Sequence, residues 1–512
     1  MFLPSRVAAA LCSSLLLVSS IAPVSAVWPI PKSFSKGDEA LYLNQNVEIT
    51  YNGEPVWWNS SPFPEYPDNL GDDDDDVVGG NKNKGNSGAI EWKTDFLTQK
   101  QLVYADGYKA RSLESKEIVQ AGVSRTMSTI FAEKFVPWML HPRGKLVEFE
   151  PDVYQGQKWV KTFDIVQTGE DKPEAFKPLA GEVDESYNLT VSAEGGAQLT
   201  ATSSIGVLRG LETFAQLFFQ HSTGTFWYTP YAPVEIEDSP EYSHRGVMLD
   251  TARSWFPVKD ILRTIDAIAW NKMNRLHIHV TDSQSWPLDI PSMPEVSEKG
   301  AYAPHTRYSP EDVAHIQEYG QHRGVEVYLE IDMPGHIGSV ALSHPELIVA
   351  YDERPYYWWC AQPPCGAFKM NDTGVDQFLE KLFDDLLPRL EPYSAYFHTG
   401  GDELNKNDSM LDPGVGSNET EVLRPLLQKF IDAQHSRVRK HGLTPITWQE
   451  IPLEWEIDIG EDVVVHTWLG AESVKNLTSK GHKVFDSNYN FWVSFFRRLN
   501  GMTCLVWNIL KG

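Results

Sequence analysis

From residue 244 onwards, short apolar segments alternate with longer segments of helical spacing. Repeated strand–helix units build a parallel sheet, and seven such units in one domain favour an α/β fold, the (β/α)8 barrel. A doubly wound sheet is the structural alternative. The apolar segments are 246–250, 276–280, 325–331, 396–398, 445–448, 463–468 and 483–486, and the helical stretches between them include 258–271, 310–323, 374–390 and 419–441.

Polar, aromatic and acidic residues recur where several of these apolar segments end, which favours the barrel over the doubly wound sheet. Barrel active sites are assembled from the carboxyl ends of different strands. We therefore expect these segment ends to share one pocket. They are 250–253, 281–286, 332–336, 402–403, 448–450 and 468.

The sequence His-Thr-Gly-Gly-Asp-Glu at 398–403 is the most informative of these ends. Its glycines permit a sharp turn and the close approach of a ligand. Adjacent carboxylates, Asp402 and Glu403, delivered by a strand into a loop suit acid-assisted cleavage of a glycosidic bond. An isolated Asp-Glu pair is equally compatible with a solvated strand end, so the interpretation depends on the other motifs.

Length and charge limit the remaining possibilities. The 512 residues are enough for two or three domains, and the net charge of −26 argues against nucleic acid and anionic membranes as partners. Residues 27–243 mix strand and helix patterns, with a strand at 187–191 and a helix at 205–219, and predict a smaller non-catalytic α+β domain before the barrel at 244–492. An Asp-, Gly- and Asn-rich stretch near 71–88 predicts a flexible acidic insertion.

Residues 1–26 are typical of a secretory signal peptide. Arg6 precedes an apolar run at 7–18, and small residues at 24–26 form a cleavage site. A membrane anchor is the alternative, but the run is short and rich in serine. We therefore expect secretion, to the medium or the cell wall. Six Asn-X-Ser/Thr sites are candidates for glycosylation: Asn59, Asn188, Asn371, Asn407, Asn418 and Asn476.

Two of the four cysteines, Cys360 and Cys365, lie close together in the chain. In an oxidising compartment we expect them to close a small disulfide loop, with two free thiols as the alternative. A zinc site is not expected, because no second Cys or His pair has ligand spacing.

Together the strand-end motifs resemble glycoside hydrolase family 20, the β-N-acetylhexosaminidases, and are most similar to secreted fungal members. The resemblance covers about 27–492 and implies exo-acting hydrolysis of terminal non-reducing β-linked GlcNAc or GalNAc from chitin oligosaccharides or glycoconjugates. It implies a retaining mechanism in which the sugar's own acetamido oxygen is the nucleophile. It implies no metal or organic cofactor, and family members often form homodimers. The motifs are His-Arg-Gly (244–246), Asp-Thr-Ala-Arg (250–253), Thr-Asp-Ser-Gln-Ser-Trp-Pro (281–287), Asp-Met-Pro-Gly-His (332–336) and 398–403.

The resemblance also implies the catalytic roles. Glu403 would be the general acid and then the base that activates water. Asp402 would hold the acetamide N–H and stabilise the positive charge of the intermediate. His336 would hydrogen-bond to Glu403, with Asp332 fixing the imidazole ring. For the His336–Asp332 pair, a structural salt bridge in a loop is the alternative.

For substrate binding, the resemblance implies that Arg253 grips sugar hydroxyls and that Trp448 and Trp468 form the pocket walls. Asp282 matches the second of two aspartates found in many members, and Thr281 takes the first place. Considered alone, Arg253 is compatible with a surface ion pair, and a Trp at a strand end more often belongs to the core.

Two other functions remain to be weighed. An inactive carbohydrate-binding remnant of such an enzyme would keep the pocket without turnover. A chitinase would show Asp-X-Asp-X-Glu spacing after the fourth strand, which this chain lacks.

The resemblance ends before Val493, where family members have a tyrosine and continue into a further βα unit. We therefore expect a barrel that lacks its last unit, with low stability and weak or no activity, and exposed edges on its first and seventh strands. Residues 493–512 form a tail without family similarity, in which only 504–508 has strand character. Because Val-Ser at 493–494 can be encoded by GTGAGT, a common intron start, we hypothesise that the tail is translated intron. Sequencing the gene and the transcript tests this, and a gene without an intron start at codon 493 refutes it.

Overall fold

The computed structural model describes residues 27–58, 113–133, 150–153, 157–488, 492–494 and 503–506. The predicted signal peptide, the acidic insertion near 71–88 and Asn59 lie outside these ranges. The described residues form a mixed sheet, a larger sheet with seven parallel strands and a small two-stranded sheet. Within these ranges, no helix combines the length and the apolar character needed to span a membrane.

The first sheet belongs to an α+β domain. Its strands are β1 Ser33–Leu43, β2 Glu48–Tyr51, β3 Glu54–Pro55, β4 Thr162–Gln167, β5 Tyr187–Val191, β6 Gly196–Ala201, β7 Phe219–Gln220 and β8 Trp227–Asp238. They are arranged in the order β1-β8-β5-β6-β4-β2-β3, with β7 paired to β8. Helices Ser115–Phe131 and Ser204–Gln216 pack together and contribute to the domain's apolar core.

The helix predicted at 205–219 is three residues too long. It begins at an N-cap, where the Ser203 side chain accepts from the Gly206 N–H, and it ends at Gln216. Phe218 and Phe219 continue the helical spacing of apolar residues, but Phe219 pairs with Tyr228 as part of β7. Pairing with a strand distant in sequence therefore overrides the local pattern.

The second sheet is the predicted barrel. Its parallel strands are β9 Gly246–Asp250, β10 Arg275–Thr281, β11 Glu326–Ile331, β14 Tyr396–His398, β15 Thr444–Trp448, β16 Val464–Thr467 and β17 Lys483–Asp486, while β12 Ile348–Val349 and β13 Ala367–Phe368 pair separately. Each of the seven pairs in parallel with the next. The helices are Val258–Trp270, Pro294–Gly300, Pro310–Gln321, Thr373–Leu390, Thr420–Lys440, Glu450–Leu453 and Ala471–Ser479. The fold class is confirmed: a (β/α) barrel preceded by a smaller domain.

Side chains alternate between the outside and the inside of the barrel, as the two-residue period of a strand requires. On β10, Leu276, Ile278 and Val280 belong to the apolar core that also contains the outer helices. His277 and His279 lie between them on the opposite face, and both are buried. On β11 the residues of this inner face include two buried glutamates, Glu326 and Glu330.

The sheet is open in the part of the chain that the structure describes. Its order is β17-β16-β15-β14-β11-β10-β9, and no pairing joins β17 to β9 within the described ranges. The edge of β9, expected to be exposed, instead pairs antiparallel with β19 Thr503–Val506, which pairs with β18 Trp492–Ser494. The strand character predicted for 504–508 is thus realised over 504–506, antiparallel to its neighbour, and 507–508 lie outside the described residues.

A buried ion-pair network joins the first domain to the amino ends of the barrel strands. The Glu185 carboxylate accepts from Arg209 at 2.8 Å, from Arg245 at 2.6 Å and from Asn274 at 2.9 Å. Burial alone would raise the pKa of Glu185, but the two guanidinium groups lower it to about 2. Glu185 is therefore a permanent anion at neutral pH and the common partner of both domains.

We expect Glu185→Ala to lower the free energy of unfolding by about 3–5 kcal/mol, because it leaves Arg209 and Arg245 without their buried counter-charge. Urea denaturation measures the change. Asp384→Ala is the control, since Asp384 pairs with Lys440 at 2.9 Å on the surface and an exposed pair contributes only about 0–1 kcal/mol. A loss in E185A no larger than that in D384A contradicts the prediction.

Candidate active site

The turn at 400–401 requires glycine. Gly400 has φ +70°, and a Cβ there would lie 1.8 Å from Asp332 Oδ1. Its carbonyl accepts from the Trp448 N–H at 3.0 Å and from the Thr447 hydroxyl at 2.8 Å, while the Gly401 N–H donates to Asp332 Oδ1 at 2.9 Å. The ends of β11, β14 and β15 are thereby joined, and the two acids that follow are aimed into the space between them.

Asp402 and Asp332 form a hydrogen-bonded pair of carboxyl groups. Asp332 is 1% exposed, and burial together with the neighbouring Asp402 raises its pKa well above the usual range. Burial, together with the nearby Glu330 and Glu403, also raises the pKa of Asp402, and His336 and the hydrogen bond with Asp332 offset this only in part. Because the pKa of Asp332 is raised further than that of Asp402, we assign the shared proton to Asp332, whose hydroxyl then donates a hydrogen bond to the Asp402 carboxylate and orients it.

Glu403 and His336 meet across the same space with unusual backbones. Glu403 Oε2 lies 3.3 Å from His336 Nε2, and the Glu403 side chain is 29% exposed. Their φ angles are +50° and +51°. The left-handed region is unfavourable for residues other than glycine, and such strain is concentrated at functional sites.

The partner that fixes the His336 ring is Asp282, not Asp332 as predicted. Asp282 Oδ1 lies 3.3 Å from His336 Nδ1, whereas Asp332 is engaged with Asp402 and the turn. Burial would lower the pKa of His336, but Asp282 and Asp402 raise it well above its usual range. An imidazolium held by one aspartate thus faces Glu403. The family resemblance suggested Asp332, and the packing of β10 beside β11 selected Asp282.

Arg253 is held by several side chains rather than by one surface ion pair. Its guanidinium lies 2.9 Å from Asp250 and 2.7 Å from Asp282, and it donates to Gln284 at 3.0 Å. Gln362 Oε1 lies 3.4 Å away. Arg253 thus has a defined orientation beside the Asp282–His336 pair, and 26% of its side chain remains exposed.

The disulfide between Cys360 and Cys365 is present, as predicted. It closes the loop that carries Gln362, so the contact with Arg253 places this loop over the site. The Gln284 side chain donates to the Pro363 carbonyl at 3.0 Å and gives the loop a second attachment.

The described glycosylation candidates differ in their surroundings. Asn188, Asn371 and Asn476 are exposed. Asn407 and Asn418 are half-buried and bonded to each other at 2.9 Å, and Asn407 also donates to the Trp358 carbonyl at 3.0 Å.

Trp448 and Trp468 lie at the carboxyl ends of β15 and β16, but only Trp468 is appreciably exposed. Trp448 is 4% exposed, and its indole N–H donates to Glu330 at 2.7 Å. The Trp468 indole N–H donates to Glu450 at 2.7 Å. Burial, and secondarily the charge of Asp402, raises the pKa of Glu450 to about 8, so a neutral acid holds the Trp468 ring at neutral pH.

Sequence reasoning missed three side chains, Glu330, His277 and His279, and placed Glu450 at a strand end of the pocket without giving it a role. The first three were assigned to apolar strands without any role. A signal was present, since an acid inside a strand expected to be buried requires a partner. Histidines two residues apart on the neighbouring strand are suitable partners.

Among the described residues, four overlapping groups of acids and histidines in the site have spacings that a metal ion could bridge, and two of them represent the set. Ligand atoms of His277, Glu330 and His398 lie within 4.8 Å of one another, as do those of His336, Asp402 and Glu403. Members of both groups already contact each other directly, at 2.8 Å for His277–Glu330 and 3.3 Å for His336–Glu403. We therefore assign these atoms to hydrogen bonds and ion pairs with each other.

Residues 242–500 match the profile of the glycosyl hydrolase family 20 catalytic domain, and residues 27–217 match one described as beta-acetyl hexosaminidase like. The catalytic match runs past 492, where we expected the resemblance to end. The chain is 38% identical over 485 residues to a beta-hexosaminidase of Arthroderma benhamiae, covering 92% of this chain and 75% of that one. It is 32% identical to a chitooligosaccharidolytic beta-N-acetylglucosaminidase of Ostrinia furnacalis (64% and 58% covered) and to human beta-hexosaminidase subunit beta (65% and 59%).

Solved structures share the fold. The chitobiase of Flavobacterium johnsoniae superposes with a TM-score of 0.63 at 23% identity, covering 90% of this chain and 59% of that one. The chain thus spans less than two thirds of the length of most of these relatives. With a catalytic-domain match over 259 residues and 38% identity to a family enzyme, the chain belongs to glycosyl hydrolase family 20.

Proposed function

We propose that this protein removes terminal β-linked N-acetylhexosamine from chitin oligosaccharides or glycoconjugates by a retaining, substrate-assisted mechanism. The observation that carries the proposal is the pair Asp402–Glu403 at the end of β14. The two carboxyl groups have different partners, a protonated Asp332 for one and an imidazolium for the other. Different partners suit different tasks for two adjacent acids.

In the first step, the acetamido oxygen of the substrate bonds to the anomeric carbon while the bond to the leaving oxygen breaks. Glu403 transfers its proton to that oxygen. Asp402 accepts the acetamide N–H and stabilises the positive charge that develops on the ring formed. The hydrogen bond from Asp332 keeps the Asp402 carboxylate in one orientation during this step.

In the second step, Glu403 takes a proton from water as the water oxygen bonds to the anomeric carbon. The acetamide is released, and the configuration is retained. The His336 imidazolium, held by Asp282, stabilises the Glu403 carboxylate between the two steps. Arg253 donates to hydroxyls of the terminal sugar, and Trp468 packs on its apolar face, with Trp448 supporting the pocket from within the barrel.

We also propose where the protein acts, whether it is glycosylated and which substrates it takes. The N-terminal pattern and the Cys360–Cys365 bridge support secretion to the medium or cell wall, and the exposed Asn188, Asn371 and Asn476 support glycosylation. The names of the relatives from Arthroderma benhamiae and Ostrinia furnacalis support hexosaminides and chitin oligosaccharides as substrates. A homodimer remains a prediction from the family resemblance.

We expect Glu403→Gln to lower kcat by about 10²–10⁴ because the amide cannot transfer a proton. The loss should be larger for a chitin disaccharide than for a nitrophenyl N-acetylglucosaminide, since nitrophenolate leaves with less protonation. Steady-state kinetics on both substrates measures it. Glu380→Gln, an exposed change on the outer helix Thr373–Leu390, is the control and should leave both rates unaltered.

Unchanged turnover in E403Q removes Glu403 from the mechanism. The open sheet keeps a second candidate under test, a carbohydrate-binding protein without turnover. If the 512-residue chain binds the disaccharide but neither it nor the nitrophenyl substrate is hydrolysed, the second candidate replaces the first.

A further inference from the structure

A row of five side chains runs from the interior of the barrel to the proposed acid. Glu330 Oε2 lies 2.8 Å from His279 Nδ1, and His279 Nε2 lies 2.8 Å from Asp282 Oδ2. Asp282 Oδ1 lies 3.3 Å from His336 Nδ1, and His336 Nε2 lies 3.3 Å from Glu403 Oε2. Carboxylates and imidazoles therefore alternate, with hydrogen bonds at the first three contacts and an ion-pair contact without hydrogen-bond geometry at the last. The mechanism above uses only the last three members of this row.

Glu330 also has a second branch. Its other oxygen, Oε1, accepts from the Trp448 indole N–H at 2.7 Å and lies 3.3 Å from His398 Nδ1. His277 Nε2 lies 2.8 Å from Oε2. One fully buried carboxylate therefore contacts both the row that ends at Glu403 and a proposed support of the sugar pocket.

We propose that Glu330 is a positioning residue for hydrolysis, which acts on Glu403 through His279, Asp282 and His336 and on the pocket through Trp448. This inference rests on the proposed function. Glu330 does not touch the substrate, and its effect on the reaction is transmitted by the residues between.

Charge balance supports this assignment. Burial alone would lower the pKa of His279, but Glu330, Asp282 and Asp250 together raise it well above its usual range. The two buried carboxylates, Glu330 and Asp282, balance the charges of the two protonated imidazoles, His279 and His336. A buried neutral row avoids the cost of an unpaired interior charge. Without the Glu330 charge, the row would carry one excess positive charge, which His279 can relieve by losing its proton.

Other ionisable groups surround the row, and their charges also influence the protonation of its members. They come from every neighbouring strand: Asp250 at the end of β9 and Arg253 after it, His277 on β10, Asp332 after β11, His398 and Asp402 at β14, and His466 on β16. The variants below therefore change one charge at a time and leave these groups in place.

The chain provides a matched control for the burial of an acid on this strand. Glu326 lies four residues earlier on β11, is also buried, and pairs with Arg275 at 3.1 Å at the amino end of the barrel. Glu326→Gln makes the same chemical change away from the row. A purely structural role for Glu330 predicts that E330Q and E326Q behave alike.

The kinetic test compares E330Q, E326Q and Trp448→Phe, with unfolding curves confirming that each variant folds. We expect E330Q to lower kcat by about tenfold to a hundredfold and to displace the pH profile of kcat/KM. Replacing a residue that hydrogen-bonds to a metal-bound histidine in other enzymes has an effect of this size, and there too the residue acts through a histidine. W448F should mainly raise KM, and E326Q should leave both parameters and the profile unaltered. If E330Q matches W448F in kcat and KM, Glu330 acts only through the tryptophan and the row is excluded.

A second variant covers the case in which E330Q does not fold. His279→Gln breaks the row and leaves the Glu330–Trp448 contact intact. It should reduce kcat by a factor similar to that of E330Q with little change in KM, and where both fold, the double variant should lose no more than either single one. Unchanged kcat in H279Q overturns the proposal.

A measurement without turnover separates this inference from the proposed function. Nitrogen NMR of labelled histidine, with His279 identified through H279Q, reports the charge of that ring. His279 should be cationic at neutral pH in the wild type and in E326Q and neutral in E330Q. Equal charge in the wild type and E330Q refutes the row, whereas a wild type without hydrolysis and with the expected NMR change refutes only the proposed activity.

Discussion

Buried carboxylates that need partners organise this structure. In a parallel barrel the inner faces of the strands are enclosed, so an acid placed there must be protonated or paired. Glu330 is paired with imidazoles, Asp332 is protonated beside Asp402, and Asp282 lies between His279, His336 and Arg253. These requirements, rather than apolar packing alone, bring the strand ends into one arrangement.

The pKa of a buried acid is shifted in opposite directions at the two ends of the barrel, according to the partners that the acid has. At the amino ends, Glu185 lies between two arginines, and its pKa falls to about 2, so its charge is permanent and connects the domains. At the carboxyl ends, Asp332 and Glu450 lie near another acid, and burial raises their pKa. Permanent charges suit a structural joint, and groups that keep a proton at neutral pH suit the orientation of Asp402 and of the Trp468 ring without adding charge to the site.

Much of the fold followed from sequence patterns, and the errors have identifiable causes. The alternation of apolar and helical segments predicted the barrel, because parallel strands that are buried on both faces appear in the sequence as continuous apolar segments. The helix at 205–219 was too long because Phe219 pairs with Tyr228, a contact distant in sequence. The family resemblance implied Asp332 as the His336 partner, whereas Asp282, directly after the adjacent strand β10, occupies that position.

The sequence by itself determined the alternation of strands and helices and the identity of the acids at the strand ends, since periodicity and turn residues are local properties. Only the tertiary structure decided which side chains are partners. The register between β10, β11 and β14 brings His279, Asp282, His336 and Glu330 into one row that ends at Glu403. Such contacts depend on distances across strands, which local spacing does not encode, and the protonation of each group depends on those contacts.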